Sequence, residues 1–255
     1  MSGPPAGGKP PQPDSPPTPG QPQGPAVALA PAARGALEVV LALLAADPTS
    51  PTTVRDPGEA WRVHVADSLS GLEFQRLRGA SRIADVGADA GFPGLALAAA
   101  LPDARVDLIE STSRKCEFMR RAVERAGLAN ATVVCERAES WAAAPPPEGG
   151  REAYDAVTAR AVGRLSTLAE LGSPLLRDDG VLVAWKGRRD PGEEDELRAA
   201  AGRLAMEPHE IRPVAPYAGS RHRHLHLIAK SGPTPADLPR RPGMAKKRPF
   251  GSRPS

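Results

Sequence analysis

The chain has 255 residues, room for one domain of ordinary size with tails. Its 30 prolines and 25 glycines gather toward the two ends, and its two cysteines, Cys116 and Cys135, lack CxxC spacing. That argues against a disulfide framework and for a reducing compartment. The formal charge of +3 is uneven, because residues 233–255 carry +5 while residues 35–232 carry −3; the basic end is either a phosphate-seeking or a solvating tail.

Residues 1–31 are rich in Pro, Gly, Gln and Ser and cannot bury enough surface to offset ordering entropy, so the tail 1–34 is expected to be disordered. No apolar signal core occurs there, and the longest apolar run, 36–46, falls far short of the ~20 residues a membrane span needs. A cytoplasmic protein is expected. The run 35–46 predicts a helix ended by Asp47-Pro48. A second helix is expected over 59–72, where Trp61, Val65 and Leu69 form a core stripe and His64 and Asp67 share a neighbouring face.

From residue 82 strands and helices alternate. Strands are expected at 82–86, 105–110, 131–135, 154–159 and 180–186. The helices following them are expected at 92–101, 113–126, 138–144, 164–176 and 191–206. Two adjacent late strands, near 209–215 and 222–230, imply a terminal antiparallel hairpin. The whole predicts an α/β fold with a mostly parallel seven-stranded sheet covered on both faces, preceded by a small helical part. The domain is expected over 35–232, with 233–255 a basic C-terminal tail.

Ligands of open α/β sheets sit at the carboxyl ends of the strands. The residues there are Asp85 with Gly87–Phe92, then Glu110, then Ala138 and Glu139, then Arg160, then Lys186. The dinucleotide pattern GxGxxG is absent, since the glycines stand at 87, 91 and 94. Asp85-Val86-Gly87 suits S-adenosylmethionine, whose ammonium needs a carboxylate and which has no pyrophosphate to cradle. Glu110 can accept ribose hydroxyls from either cofactor. The other reading of each acid alone is an ordinary strand-end residue, and their combination with the turn weighs against it. His222, His224 and His226 alternate along the last strand, and residues so spaced converge poorly on a metal, so no metal is expected.

The stretch Asp85-Val-Gly-x-x-x-Gly-Phe-Pro-Gly94, continued by LALAAALPDARVDLIES, resembles the RsmG (glucose-inhibited division protein B) family. So do Val54-Arg-Asp-Pro with His64-Val-Ala-Asp-Ser-Leu69, Arg114-Lys115, Thr158-Ala-Arg160-Ala161-Val162, and Leu238-Pro-Arg-Arg-Pro-Gly243 with Lys246-Lys-Arg-Pro249. The resemblance spans about residues 35–250. It implies a Rossmann-like class I methyltransferase. Such an enzyme passes the methyl of S-adenosylmethionine to N7 of a guanine in the decoding region of 16S rRNA. The implied partner is 16S rRNA or the small ribosomal subunit, with no DNA, no membrane and a monomeric enzyme. By the same resemblance Gly87 and Phe92 line the cofactor, Ala138 and Glu139 contact its adenine end, and Arg160 reaches the site. His64, Asp67 and Lys186 are candidates for positioning substrate; a strand-end lysine in solvent is the other reading of Lys186.

The chain departs from the family at Asp89, where a glycine is usual, and in the segment before Thr53. A side chain at 89 takes room near the ligand and adds negative charge. Two further readings therefore stand beside the enzyme: a catalytically weak relative that binds ribosomal RNA, and a small-molecule methyltransferase.

Overall fold

A computed structural model describes residues 28–48, 50 and 52–251. Most of the tail expected over 1–34 lies outside the described residues, as do 252–255. The strands are β1 (Arg82–Val86), β2 (Arg105–Ile109), β3 (Ala131–Val134), β4 (Tyr154–Arg160), β5 (Leu176–Lys186), β6 (Met206–Val214) and β7 (Arg223–Lys230). They form one sheet in the order β3-β2-β1-β4-β5-β7-β6. Pairs β1–β2, β1–β4, β2–β3 and β4–β5 are parallel, whereas β7 runs antiparallel to both β5 and β6. The seven-stranded, mostly parallel sheet with its terminal hairpin is the architecture expected.

Central parallel strands bury both faces, and Ile83, Ala84, Asp85 and Val86 of β1 are all buried. Two cores result, one on each face. Helices Pro31–Ala46, Gly94–Ala100 and Ser113–Ala126 close the first with Leu37, Leu95 and Met119; helices Leu165–Gly172 and Pro191–Leu204 close the second with Leu168 and Leu197. Among the described residues no helix is long and apolar enough to cross a membrane.

Several boundaries differ from expectation. The first helix begins at Pro31, not 35, so residues 31–34 of the expected tail are ordered. Proline suits a first helical turn, and Arg34 lies 4.5 Å over the Trp61 ring and pairs with Glu38 at 3.0 Å. The second helical run, 57–73, is not uniform: Trp61–Ala66 is a π-helical turn and Ser70–Glu73 a 3₁₀ turn. A π turn rotates the residues after it relative to a regular helix, which sets the direction of Asp67. β5 starts at Leu176 rather than 180, across a register shift near Tyr154 and Ala156. His222 lies before β7 with φ 53°, so only His224 and His226 alternate along it.

The basic segment is the largest correction. Residues 233–251 do not hang free but fold back on the domain. Leu238 and Ala245 are buried. Arg240 grips the buried Glu170 with two bonds of 2.6 and 2.5 Å. Thr167 Oγ1 donates to the Ala245 carbonyl at 3.1 Å. A cation reads as tail when only charge is counted; an apolar leucine and a buried acid for Arg240 to neutralise turn it into a strap. Arg241, Lys246, Lys247 and Arg248 stay exposed.

Candidate active site

The turn after β1 is held from below. Gly87 and Ala88 both donate to the Ile109 carbonyl, at 2.9 and 3.2 Å. Gly87 has φ 67°, and a Cβ there would lie 2.6 Å from Val162 Cγ2. Both conformation and space demand glycine. At Gly94 space alone demands glycine, since a Cβ would lie 2.1 Å from Leu108 Cδ2 and 2.8 Å from Asp85 Oδ2.

Asp85 offers no exposed edge. It is fully buried, and it accepts from the Gly94 N–H at 2.8 Å and from the Thr158 hydroxyl at 2.8 Å. Burial pushes its carboxyl up to about 6, against the pull of those two donors and of Arg160. The expectation that this acid meets an ammonium is therefore corrected: β1 pairs with β4 in a register that sets Asp85 beside Thr158. The residue ties turn, helix and neighbouring strand together.

A cavity of about 110 Å³ opens at the ends of β1, β2 and β3, lined by Gly87, Glu110, Ala138, Glu139 and Val162 among others. Four of the residues singled out for a cofactor thus meet in one place. Glu110 is buried and oriented: its carboxylate accepts from the Thr112 N–H at 2.8 Å and the Asp89 N–H at 3.3 Å. Glu139 accepts from the Gly243 N–H at 2.7 Å, so the C-terminal strap fixes it. Asp89 adopts φ 54° and pairs with Lys115 at 2.5 Å. The Asp89 carboxylate holds the Lys115 ammonium above the usual lysine range, and its own charge is compensated.

Phe92 and Arg160 belong to a second cluster. The Phe92 ring stacks on His64, centroids 5.2 Å apart, and the Arg160 guanidinium lies 5.9 Å from the Phe92 centroid. Arg160 donates to Asp67 Oδ2 at 3.1 Å and to the Val63 carbonyl at 3.0 Å. His64 receives Thr52 Oγ1 at 3.1 Å on its far side. Burial, then the Arg160 charge, lower the His64 pKa to about 4. A neutral imidazole and a guanidinium–carboxylate pair thus border the Phe92 ring.

A further cavity of about 160 Å³ adjoins this cluster, lined by Asp67, Ala161, Trp185, Lys186, Gly187, Val214, Arg223 and His224. Lys186 is not a free strand-end lysine: it pairs with Glu193 at 2.8 Å and donates to the Gly163 carbonyl at 3.0 Å. The turn 160–162 divides the two cavities, with Ala161 on one and Val162 on the other. Ala161 is held at φ 58°, a strained state that costs of order 1–3 kcal/mol and concentrates at functional sites. Sequence reasoning missed Arg223, gave Trp185 no role and weighed His224 only as a metal ligand. An arginine on a late hairpin carries no signal until the sheet order sets β7 beside β5.

The family model described as rRNA small subunit methyltransferase G (GidB) matches residues 47–225. The ribosomal RNA small subunit methyltransferase G of Rubrobacter xylanophilus is 42% identical over 202 residues, covering 77% of this chain and 75% of that protein. Those of Moorella thermoacetica and Thermotoga neapolitana are 36% and 37% identical, covering 78% and 80% of this chain and 82% and 85% of theirs. Among solved structures, a mutant of MtNAS in complex with S-adenosylmethionine superposes with a TM-score of 0.52 at 12% identity, covering 78% of this chain and 73% of that one. At that identity the likeness is one of fold.

Proposed function

The chain belongs to the rRNA small subunit methyltransferase G family, and on that premise we propose that it transfers a methyl group from S-adenosylmethionine to N7 of a guanine in the decoding region of 16S rRNA. The observation that carries the reading is the convergence of Gly87, Glu110, Ala138 and Glu139 on one cavity, next to the Phe92–Arg160 cluster.

The residues fit the cofactor. The Gly87 backbone leaves open the space a Cβ would fill, and Glu110 offers oriented carboxylate oxygens for hydroxyl donors. Ala138 and Glu139 flank the same cavity for an adenine. S-adenosylmethionine, when bound, supplies a methyl carbon on a sulfonium leaving group. Guanine N7 carries a lone pair and no proton, so the chain needs no general base there; its work is to bind, orient and exclude water. A His64 that stays neutral near pH 7 suits that role, because it packs on Phe92 without adding a second cation beside Arg160.

The pairing of Asp89 with Lys115 favours the active enzyme over the weak relative. The exposed Arg241, Lys246, Lys247 and Arg248 supply phosphate contacts for RNA, in line with a monomer working in the cytoplasm on 16S rRNA or the small subunit.

The test is incubation with S-adenosylmethionine and small subunits lacking the modification, followed by mass spectrometry of nuclease fragments. One 7-methylguanosine in the decoding-region fragment is expected. A methyl group elsewhere, or none, contradicts the reading.

A further inference from the structure

Among the described residues, two buried polar atoms of side chains that line the cavity beside Arg160 have no hydrogen bond: Asp67 Oδ1 and Arg223 Nε. Leaving such groups unmatched costs of order 1–3 kcal/mol each, so native structures rarely do so without a use for them. Asp67 is only 4% exposed. Its other oxygen is taken by Arg160, and its carbonyl accepts the Trp185 indole N–H at 2.8 Å. The carboxylate is therefore fixed, with one acceptor unspent. Arg223 Nε lies 3.8 Å from that acceptor, near enough to attract but too far to bond. An acceptor and a donor set side by side at this spacing match neighbouring groups on the edge of one flat base.

Guanine presents such an edge, with N1–H and O6 adjacent. Adenine presents the reverse, a bare N1 acceptor beside an amino donor. Resting on the methyl-transfer reading above, we propose that the cavity lined by Asp67, Trp185 and Arg223 receives the target guanine, that Asp67 Oδ1 accepts its N1–H, and that Arg223 donates to its O6. Trp185 supplies the apolar wall. Its position is dictated by Gly71, where a Cβ would lie 2.3 Å from the indole ring. In the transfer, a bond forms from N7 to the methyl carbon as the methyl–sulfur bond breaks. The sulfonium becomes a neutral thioether and no proton leaves N7. The positive charge moves onto the purine, and the Asp67 carboxylate opposite N1–H stabilises that charge as it develops. N7 is present in adenine too, so the reacting atom cannot discriminate the two bases; the Asp67–Arg223 pair can.

The experiment uses small subunits assembled on 16S rRNA carrying either guanine or adenine at the target nucleotide. The parent chain, Asp67→Asn and Arg223→Gln are compared by kcat/KM, with folding checked by thermal melting. The parent is expected to prefer guanine at least a hundredfold. Asp67→Asn is expected to lower that preference at least tenfold, since its amide donates to adenine N1. Arg223→Gln is expected to lower it severalfold, since its amide oxygen accepts from the adenine amino group. If Asp67→Asn fails to fold, Arg223→Gln alone decides. A preference unchanged in a folded variant, even with both rates reduced, overturns the proposal. A parent chain that methylates neither subunit overturns the methyl-transfer reading itself.

Discussion

Two buried aspartates stand near the carboxyl ends of the sheet, and their surroundings differ in one respect. Asp85 has both oxygens satisfied, by the Gly94 N–H and the Thr158 hydroxyl. Asp67 has one oxygen on Arg160 and one without a hydrogen bond. A saturated buried carboxylate is a fastener, and its worth lies in the fold. A half-saturated one holds an interaction in reserve, and its worth lies in what comes to meet it. The region around Asp85 is accordingly rigid turn and helix start; the region around Asp67 is a cavity wall.

The contrast can be tested by substitution, in order of expected effect. Arg160→Ala removes the one hydrogen bond to the Asp67 carboxylate among the described residues and leaves that buried charge facing Arg223 alone, 3.8 Å away. It is expected to cost about 3–5 kcal/mol in denaturant unfolding, the range for breaking a buried ion pair, and to abolish methyl transfer. Gly94→Ala forces a methyl into Leu108 and the Asp85 carboxylate and is expected to cost about 1–3 kcal/mol by overpacking. That variant keeps the Asp67 cavity intact, so activity per folded molecule survives.

A pH profile separates the two regions further. The folded-state pKa of Asp85 is raised to about 6 from 3.8. Its contribution to stability is therefore complete below about pH 4 and lost as pH rises through 6. The pKa of His64 is lowered to about 4 from 6.5, so its contribution is complete above 6.5 and lost as pH falls toward 4. Asp85→Asn is expected to flatten the loss on the rising side, and His64→Gln the loss on the falling side. Chemical unfolding between pH 4 and 7 reads both; identical profiles for parent and variants would refute the assignments.

The smallest effect is expected at the C-terminal strap. Deleting 233–251 would expose Leu238 and strip Glu170 of Arg240, so truncation tests folding as much as binding. Replacing Lys246, Lys247 and Arg248 by Gln leaves those contacts alone. The slope of log affinity for 16S rRNA against log salt is expected to fall by about 2, as phosphate contacts are lost. An unchanged slope removes the strap from the RNA surface.

The turn 82–94 was legible in the sequence because its chemistry is contiguous: an apolar strand, glycines at 87, 91 and 94, and a helix that starts beside a proline. Asp85 was misread there because its partner Thr158 comes from another strand, through a register no local pattern displays. The strand-end rule found Glu110, Ala138 and Glu139, and the cavity joins them. The Asp67 region was half legible. His64 and Asp67 stood out on one helix, and Arg160 at one strand end, but Asp67 and Arg160 lie 93 positions apart. Arg223 enters only once β7 pairs with β5. Asp89 looked like a charge in the ligand's way until Lys115, from the next helix, was seen to hold it.

The distinction between fastener and reserve comes down to methyl transfer by Asp67→Asn and Asp85→Asn, measured on unmodified small subunits and scaled to the folded fraction of each variant. The expected result is at least a tenfold greater loss of kcat/KM for Asp67→Asn than for Asp85→Asn. Equal losses, or a larger one at Asp85, would contradict it.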